Sequence, residues 1–282
     1  MKICFMCDLH LPCEKGALQY DVLEWAVEDI RKKGADCIVF AGDVTCDGNE
    51  SVYKKFLDKI SSLEIPFLYV PGNSDLRNSD TKEVIGKLSS PIKNVVEGQV
   101  IFAVNDCDAT VNDECLSLLE QSDEKSIVFM HHPISSLTEK SRDSMLSWRC
   151  NHKDTKLFYG HLHKSFEDEN GISLQAMDPD KAIGENCCIY YYDTETGKGR
   201  KAYYFSPVPT DLYSHFGISC YDIKGDIELA CIKGLKNIEL RPNCSSYDDT
   251  ELFALVENWR NTCGENLSVL NGHNRIFYTV SI

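Results

Sequence analysis

No apolar run in this 282-residue chain approaches the roughly 18 residues that a membrane-spanning helix needs, so a helical membrane function is set aside. Positive charge is scarce as well: 29 lysines and arginines stand against 44 aspartates and glutamates, a formal net charge of −15. Such a surface repels the nucleic-acid backbone and no basic stripe offsets it, which disfavours long nucleic acid as a partner. It repels phosphorylated small molecules at long range too, so a phosphate-bearing substrate needs a concentrated local positive charge of the kind bound metal supplies. Long-period repeats and low-complexity tracts are absent, which excludes a solenoid. The start, MKICFMCDLH, holds too short an apolar stretch for a signal-peptide core and reads as a first strand, giving the expectation of a mature cytoplasmic N-terminus. Cysteines number 14, but they are scattered, and that fits a reducing compartment better than a disulfide scaffold. Cys37, Cys187, Cys188 and Cys220 sit in apolar runs as small hydrophobes. Cys4 and Cys7 form a C-x-x-C, yet in a strand residues three apart face opposite sides, so they are assigned to structure.

What the chain does have is one design used five times. A short, mostly apolar run, the size of a buried strand, delivers a polar donor where it stops: KICFMC before DLH, CIVFA before GD, PFLYVP before GN, SIVFM before HH and KLFY before GHLH. Ligands in open α/β sheets gather outside the carboxyl ends of strands, so five such endings can converge on one crevice. The convergent groups would be Asp8, His10, Asp43, Asn73, His131, His161 and His163, oxygen and nitrogen donors without thiolate, as a borderline divalent metal prefers.

Between these endings, residues 18–33 carry Leu18, Val22, Trp25, Ala26 and Ile30 at helical spacing, with Gly34 as a stop. Residues 50–63 form a second amphipathic helix, and the β-α-β-α-β opening predicts parallel strands with right-handed crossovers. A short helix is expected around 81–88, a strand over 99–105, a helix over 112–121 capped by Asn112, and a helix over 141–150. After GHLH, GISLQAM, NCCIYYYD and KAYYFS read as an antiparallel meander, the last two joined by a turn at TETGKG. The two prolines of 206–210 mark a boundary, dividing a domain of residues 1–206 from a module of 211–282. That module reads as a β-α-β-α-β appendage: a strand in GISCYD, helices near 226–233 and from Asp248 to Cys263, and strands in KNIELRP and RIFYTVSI. It is small for independent stability, so it is expected to pack on the main domain or to make a homodimer contact.

Taken singly, most of these endings have plain explanations. Asp-x-His is common loop composition, Gly-Asp and Pro-Gly-Asn are ordinary turn chemistry, and only the histidine pairs resist a packing account. GHLH is the strongest piece, since two histidines two apart in extended backbone point to the same side and the glycine before them permits close backbone approach. Together, Asp8-Leu9-His10, Gly42-Asp43, Gly72-Asn73-Ser74-Asp75, His131-His132-Pro133 and Gly160-His161-Leu162-His163 resemble, in order and content, the signature of the calcineurin-like metallophosphoesterase superfamily over residues 1 to about 205.

The resemblance implies a four-layer α/β/β/α sandwich of two mixed sheets, carrying the appendage at its C-terminal end. It implies two metal ions (Mn, Fe, Zn, Ni or Co), one on Asp8, His10 and His163, the other on Asn73, His131 and His161, with Asp43 bridging. The implied reaction is hydrolysis of a small phosphate ester by a metal-bridging hydroxide, without a phosphoenzyme. One position departs from the pattern. Ser74 stands where many members have histidine, and a serine hydroxyl is no acid near neutrality, so relatives of this kind lean towards phosphodiesters. Asp75 loses its usual partner there, His132 becomes a candidate replacement acid and phosphate contact, and Arg77 a candidate phosphate contact. An exposed loop arginine and a histidine packed beside a ligand are the plain alternatives. Asp43, Asn73, Asp75 and His132 are thus the expected catalytic residues. A non-catalytic, metal-bound scaffold or regulatory protein on the same fold is the rival reading, favoured only by Ser74.

Overall fold

The computed structural model describes residues 1–14, 16–78, 88–204, 237–240, 267–272 and 275–281. The chain divides into two compact units, Met1–Lys201 and Ala202–Ile282.

In the first unit, the apolar runs become two mixed sheets. One has the order β11-β10-β1-β2-β3, with β1 (Lys2–Met6), β2 (Cys37–Ala41) and β3 (Phe67–Val70) parallel and β10 (Cys188–Asp193) antiparallel to β1. β11 (Lys198–Tyr203) completes it. The other has the order β4-β5-β6-β7-β9-β8. In it β5 (Gln99–Val104), β6 (Ile127–Met130), β7 (Lys156–Tyr159) and β9 (Gly171–Ser173) run parallel, with β4 (Lys93–Val96) and β8 (Phe166–Asp168) antiparallel at the edges.

Alternation along each strand builds the layers. Ile3, Phe5, Val39, Ala41 and Val70 of the first sheet meet Ile101, Ala103, Phe129 and Phe158 of the second in one buried cluster, with the Phe5 and Phe158 rings stacked 4.1 Å apart. The opposite face of the second sheet, through Phe102, Val128, Met130 and Tyr159, packs with Cys115 and Leu119 of α3 (Asp113–Leu119) and Met145 and Trp148 of α4 (Glu139–Asn151). On the far side, α1 (Leu18–Lys33) and α2 (Glu50–Ser61) bury Val22, Ala26, Ile30, Val52, Phe56 and Ile60, and Phe56 sits edge-on to Phe40 of β2 at 5.0 Å. The result is an α/β/β/α sandwich. Asn49 and Asn112 cap α2 and α3 by accepting from backbone N–H groups of their first turns. Cys7 joins the inter-sheet cluster while Cys4 does not, as opposite faces require.

Two expectations need correction. The three runs after GHLH do not form one antiparallel meander: β9 stays in the second sheet, parallel to β7, and the chain then crosses to the first sheet for β10. The pairing that GISLQAM finds is set by where the second sheet has an open edge, which composition does not show. In the second unit, β13 (Leu267–Gly272) and β14 (Arg275–Ser281) pair antiparallel, and β12 (Asn237–Leu240) pairs antiparallel with β14 on its other side. The sequence reading missed β13, and the alternation it expected predicts parallel pairs. The strand in GISCYD, the helices at 226–233 and Asp248–Cys263, the 206–210 boundary, the dimer contact, and all but the last residue of the helix around 81–88 lie outside the described residues.

Candidate metal centre

The carboxyl ends of β1, β2 and β3 open on the same crevice as those of β6 and β7. Past their last paired residues, β1 and β2 stay side by side: the N–H groups of Asp8, His10 and Leu11 donate to the carbonyls of Gly42, Asp43 and Val44 at 2.8–3.0 Å. Gly160 N donates to His131 O in the other sheet at 3.1 Å. The donor residues adopt unusual backbone there. Asp8, His10, Asp43, His161 and His163 all have positive φ, between 49° and 67°, the left-handed region that non-glycine residues rarely occupy. Close approach adds a second constraint. A Cβ on Gly72 would overlap the Asp43 carboxylate, and one on Gly160 would lie 2.7 Å from Asp8 Oδ2.

These loops bring all seven expected donors together. His10 Nε2 lies 3.2 Å from His163 Nε2, and Asp8 Oδ1 lies 3.9 and 3.5 Å from those two nitrogens. Across the crevice, Asn73 Oδ1 is 3.2 Å from His131 Nε2 and 3.1 Å from His161 Nδ1. Asp43 Oδ2 stands between the groups, 3.6 Å from His10 Nε2 and 3.6 Å from His131 Nε2. Donor atoms of Asp8, His10 and His163, of Asp8, Asp43 and His131, and of His131, His132 and His161 each lie within 4.8 Å of one another.

Several observations test whether cations fit. Asp8 Oδ1 is buried and makes no hydrogen bond among the described residues, while Oδ2 is held by His161 N at 2.8 Å. A bare carboxylate oxygen in a dry site is costly, and it faces two imidazole nitrogens across a gap of cation-ligand size. His131 donates Nδ1–H to Ala41 O at 3.0 Å, so a neutral His131 turns a lone pair on Nε2 towards Asn73 Oδ1. Protonation states agree. Burial pushes His10 down to about 4 against the pull of Asp43 and Asp8, and pushes His161 to about 4 with help from His131 and His132, leaving both imidazoles neutral at pH 7, the form in which an imidazole can ligate metal. Burial alone would raise Asp8, but the His163 imidazole 3.5 Å away and the charge of His131 hold it at about 2. His131 goes the other way: burial lowers it, and the carboxylates of Asp43, Asp8 and Asp106 outweigh that and raise it. The donor set fits metal.

The remaining expected residues fall elsewhere. Asp75 is fully buried and accepts five hydrogen bonds, from Val44 N, Thr45 N, Thr45 Oγ1, Tyr69 Oη and Gly72 N, at 2.8–3.2 Å. Both its oxygens are occupied, and these bonds tie the Asp43 loop to the Asn73 loop. Ser74 donates from N and Oγ to the two oxygens of Asp43, at 2.7 and 2.9 Å. Arg77 is exposed, and its Nη1 donates to Cys46 O at 3.0 Å. His132 is buried against His161 with ring centroids 4.3 Å apart.

Sequence reading missed Asp106. Just past β5 and fully buried, it accepts from His131 N and His132 N at 2.8 and 2.7 Å, and its own carbonyl accepts from His132 Nδ1 at 3.0 Å. It fixes the backbone of the HH pair and the tautomer of His132. The signal was available, because QVIFAVN is a sixth apolar run that ends beside an aspartate.

The family profile described as "Calcineurin-like phosphoesterase" matches residues 1–165. A protein described as "Probable cyclic nucleotide phosphodiesterase" from Pseudoalteromonas sp. strain SM9913 is 27% identical over 194 residues, 60% of this chain and 74% of its own length. A "Probable glycerophosphodiester phosphodiesterase GpdQ" from Arcobacter nitrofigilis is 27% identical over 152 residues, 45% of this chain and little over half, 55%, of its own length. The solved structure of a dimetal phosphatase from Danio rerio superposes with a TM-score of 0.50 at 13% identity, covering 73% of this chain and 93% of that one, and supports the fold alone. Among the described residues no helix is long and apolar enough to cross a membrane.

Proposed function

The chain belongs to the calcineurin-like phosphoesterase family, and on that footing we propose that it hydrolyses a small phosphodiester at a centre of two metal ions. The observation that carries the reading is the place of Asp43. One of its oxygens is equidistant, at 3.6 Å, from an imidazole of each donor triad, which is where a shared carboxylate must stand. Asp8, His10 and His163 would hold one cation and Asn73, His131 and His161 the other, with Mn, Fe, Zn, Ni or Co all suited to these donors. Bound there, the cations would lower the pKa of a water and neutralise charge on the phosphoryl group.

The protein's own residues supply the rest. Ser74 holds Asp43 by both oxygens, so the position where a leaving-group acid is common is committed to aiming the bridge. No acid at that position favours leaving groups that depart without a proton, as in activated diesters, over simple alkyl monoesters. Asp106 holds Nδ1 of His132 as a donor, so Nε2 carries the lone pair of the neutral ring and would need a proton there to donate to a phosphate oxygen or the departing group. Arg77 is the other candidate phosphate contact, reached from the loop after Asn73. The phosphodiesterase names of relatives support the diester choice.

Metal analysis combined with turnover tests this. Protein loaded with manganese should cleave bis(p-nitrophenyl) phosphate faster than p-nitrophenyl phosphate. The reverse preference would remove the diester reading, and bound metal without turnover of any ester would favour the scaffold.

A further inference from the structure

The family match ends at residue 165, but the chain returns to the centre once more. Between β9 and β10, Met177 N and Asp178 N donate to the carbonyls of Cys7 and Asp8 at 3.1 and 2.9 Å, and Ile183 N donates to His163 O at 2.8 Å. Both ends of this loop are therefore tied to residues that carry candidate ligands. A tight turn lies between those ties: Lys181 N and Ala182 N donate to Asp178 O at 3.2 and 2.9 Å. Its base is the buried Asp178 carboxylate, whose Oδ1 accepts from Gln19 Nε2 at 2.9 Å and from Asp180 N at 3.0 Å.

Lys181 stands on that turn with its side chain about a third exposed, and its Nζ is 4.0 Å from Asp178 Oδ2. That is the outer limit of an ion pair, and among the described residues no hydrogen bond takes the donors of the ammonium. Its charge reaches the His10 imidazole and the Cys46 thiol. Arg77 borders the same cysteine, donating to Cys46 O at 3.0 Å and acting on its thiol as well. Arg77 thus borders Cys46 directly and the Lys181 charge acts on it from the neighbouring turn, with the Asp178 and Asp47 carboxylates acting against them. Cys46 itself donates to His10 O at 2.7 Å. In a chain of net charge −15, cations on the loops that adjoin the candidate donors would help to draw in an anion.

We propose that Lys181 is a substrate-binding residue, which with Arg77 forms a cationic rim beside Asp8, His10 and His163 and receives an anionic oxygen of the phosphoryl group. The inference rests on the phosphodiesterase reading for its substrate, but the anion site is testable by itself. Lys181 contributes binding and orientation; the ester bond is broken by the machinery already described.

The test uses the full chain reconstituted with manganese, as wild type, Lys181→Ala and Lys181→Arg. Calorimetric titration with inorganic phosphate is run beside steady-state turnover of bis(p-nitrophenyl) phosphate, with metal content measured for each protein. Lys181→Ala should weaken phosphate binding about tenfold, the scale of one charge-assisted contact at a partly wet site. KM should rise by a similar factor and kcat should move less, with Lys181→Arg recovering most of both. Unchanged phosphate affinity in Lys181→Ala, no phosphate binding by the wild type, or metal loss that tracks the substitution would overturn the assignment. Phosphate binding that depends on Lys181 in a protein that turns over no ester would leave the anion site standing and remove the hydrolase reading. Turnover with phosphate binding indifferent to Lys181 would do the opposite.

Discussion

On one side of Asp43 the donors are Asp8, His10 and His163; on the other they are Asn73, His131 and His161. Each side has one oxygen residue and two imidazoles, and they differ in charge and in how complete they are without metal. Asp8 keeps a bare, buried Oδ1 held at low pKa by its neighbours, whereas Asn73 is neutral and finds His131 and His161 at 3.1–3.2 Å. A proton on the raised His131 can fill the gap to Asn73 in metal-free protein, and among the described residues no hydrogen bond is made to Asp8 Oδ1. The Asp8 side therefore has more to gain from a cation, and the Asn73 side tolerates its loss.

That asymmetry can be broken at the shared carboxylate. Asp43→Asn should lower diester turnover on the order of 10³-fold, the scale of losing a main electrostatic element, and reduce bound metal towards one ion, as read by kinetics and elemental analysis. Exchanging the two oxygens sharpens the comparison. Asp8→Asn should weaken the tighter metal on the order of 10²-fold, and Asn73→Asp should strengthen the weaker one, both followed by calorimetry. In the wild type a chelator should strip the metals in two stages; a single stage would contradict the comparison. Asp106→Asn should cost about 10- to 100-fold in turnover, with a change in metal affinity confined to the His131 side.

Acid offers a gentler probe. His10 and His161 titrate at about 4 when folded and near 6.5 when unfolded, so the unfolded chain binds more protons in between. Their contribution to stability is present above pH 6.5 and is lost as pH falls towards 4. His131, raised in the folded state, has the opposite sign: its contribution is present below its unfolded value and is lost as pH rises through the folded one. Metal-free protein should thus lose Tm on acidification from 6.5 to 4, and His131→Asn should keep that loss while flattening the decline on the alkaline side. A Tm indifferent to pH across the window would mean that the imidazoles are not held neutral.

How much of this was legible in the sequence depended on locality. The candidate donors could be picked out because each ends its own apolar run, and parallel pairing of β1–β3 and of β5–β7 brings such endings to one edge. Asp106 also follows such a run, but Asn-Asp-Cys-Asp reads as turn chemistry, and its place under the histidine pair follows from the register that sets Val104 beside Met130. Lys181 was hidden for the same reason, since its relation to His10 depends on backbone bonds from residues 177, 178 and 183 back to both ligand loops. The role expected of Asp75 was argued from the missing partner at Ser74, and nothing local announces the five hydrogen bonds it accepts from β3 and the loops after β2 and β3. The edge strands β4, β8 and β13 are too short or too polar to announce themselves by periodicity.

The left-handed backbone at Asp8, His10, Asp43, His161 and His163 has one more consequence. A residue with a Cβ is uncomfortable in that conformation and glycine is not, by about 1 kcal/mol at each position. Stripped of metal, His161→Gly should therefore melt no lower than its parent, and higher if the lost side-chain contacts are few, while being unable to complete the centre. Selecting this protein for heat resistance alone, with no demand for turnover, would then erode the centre at its own ligands first.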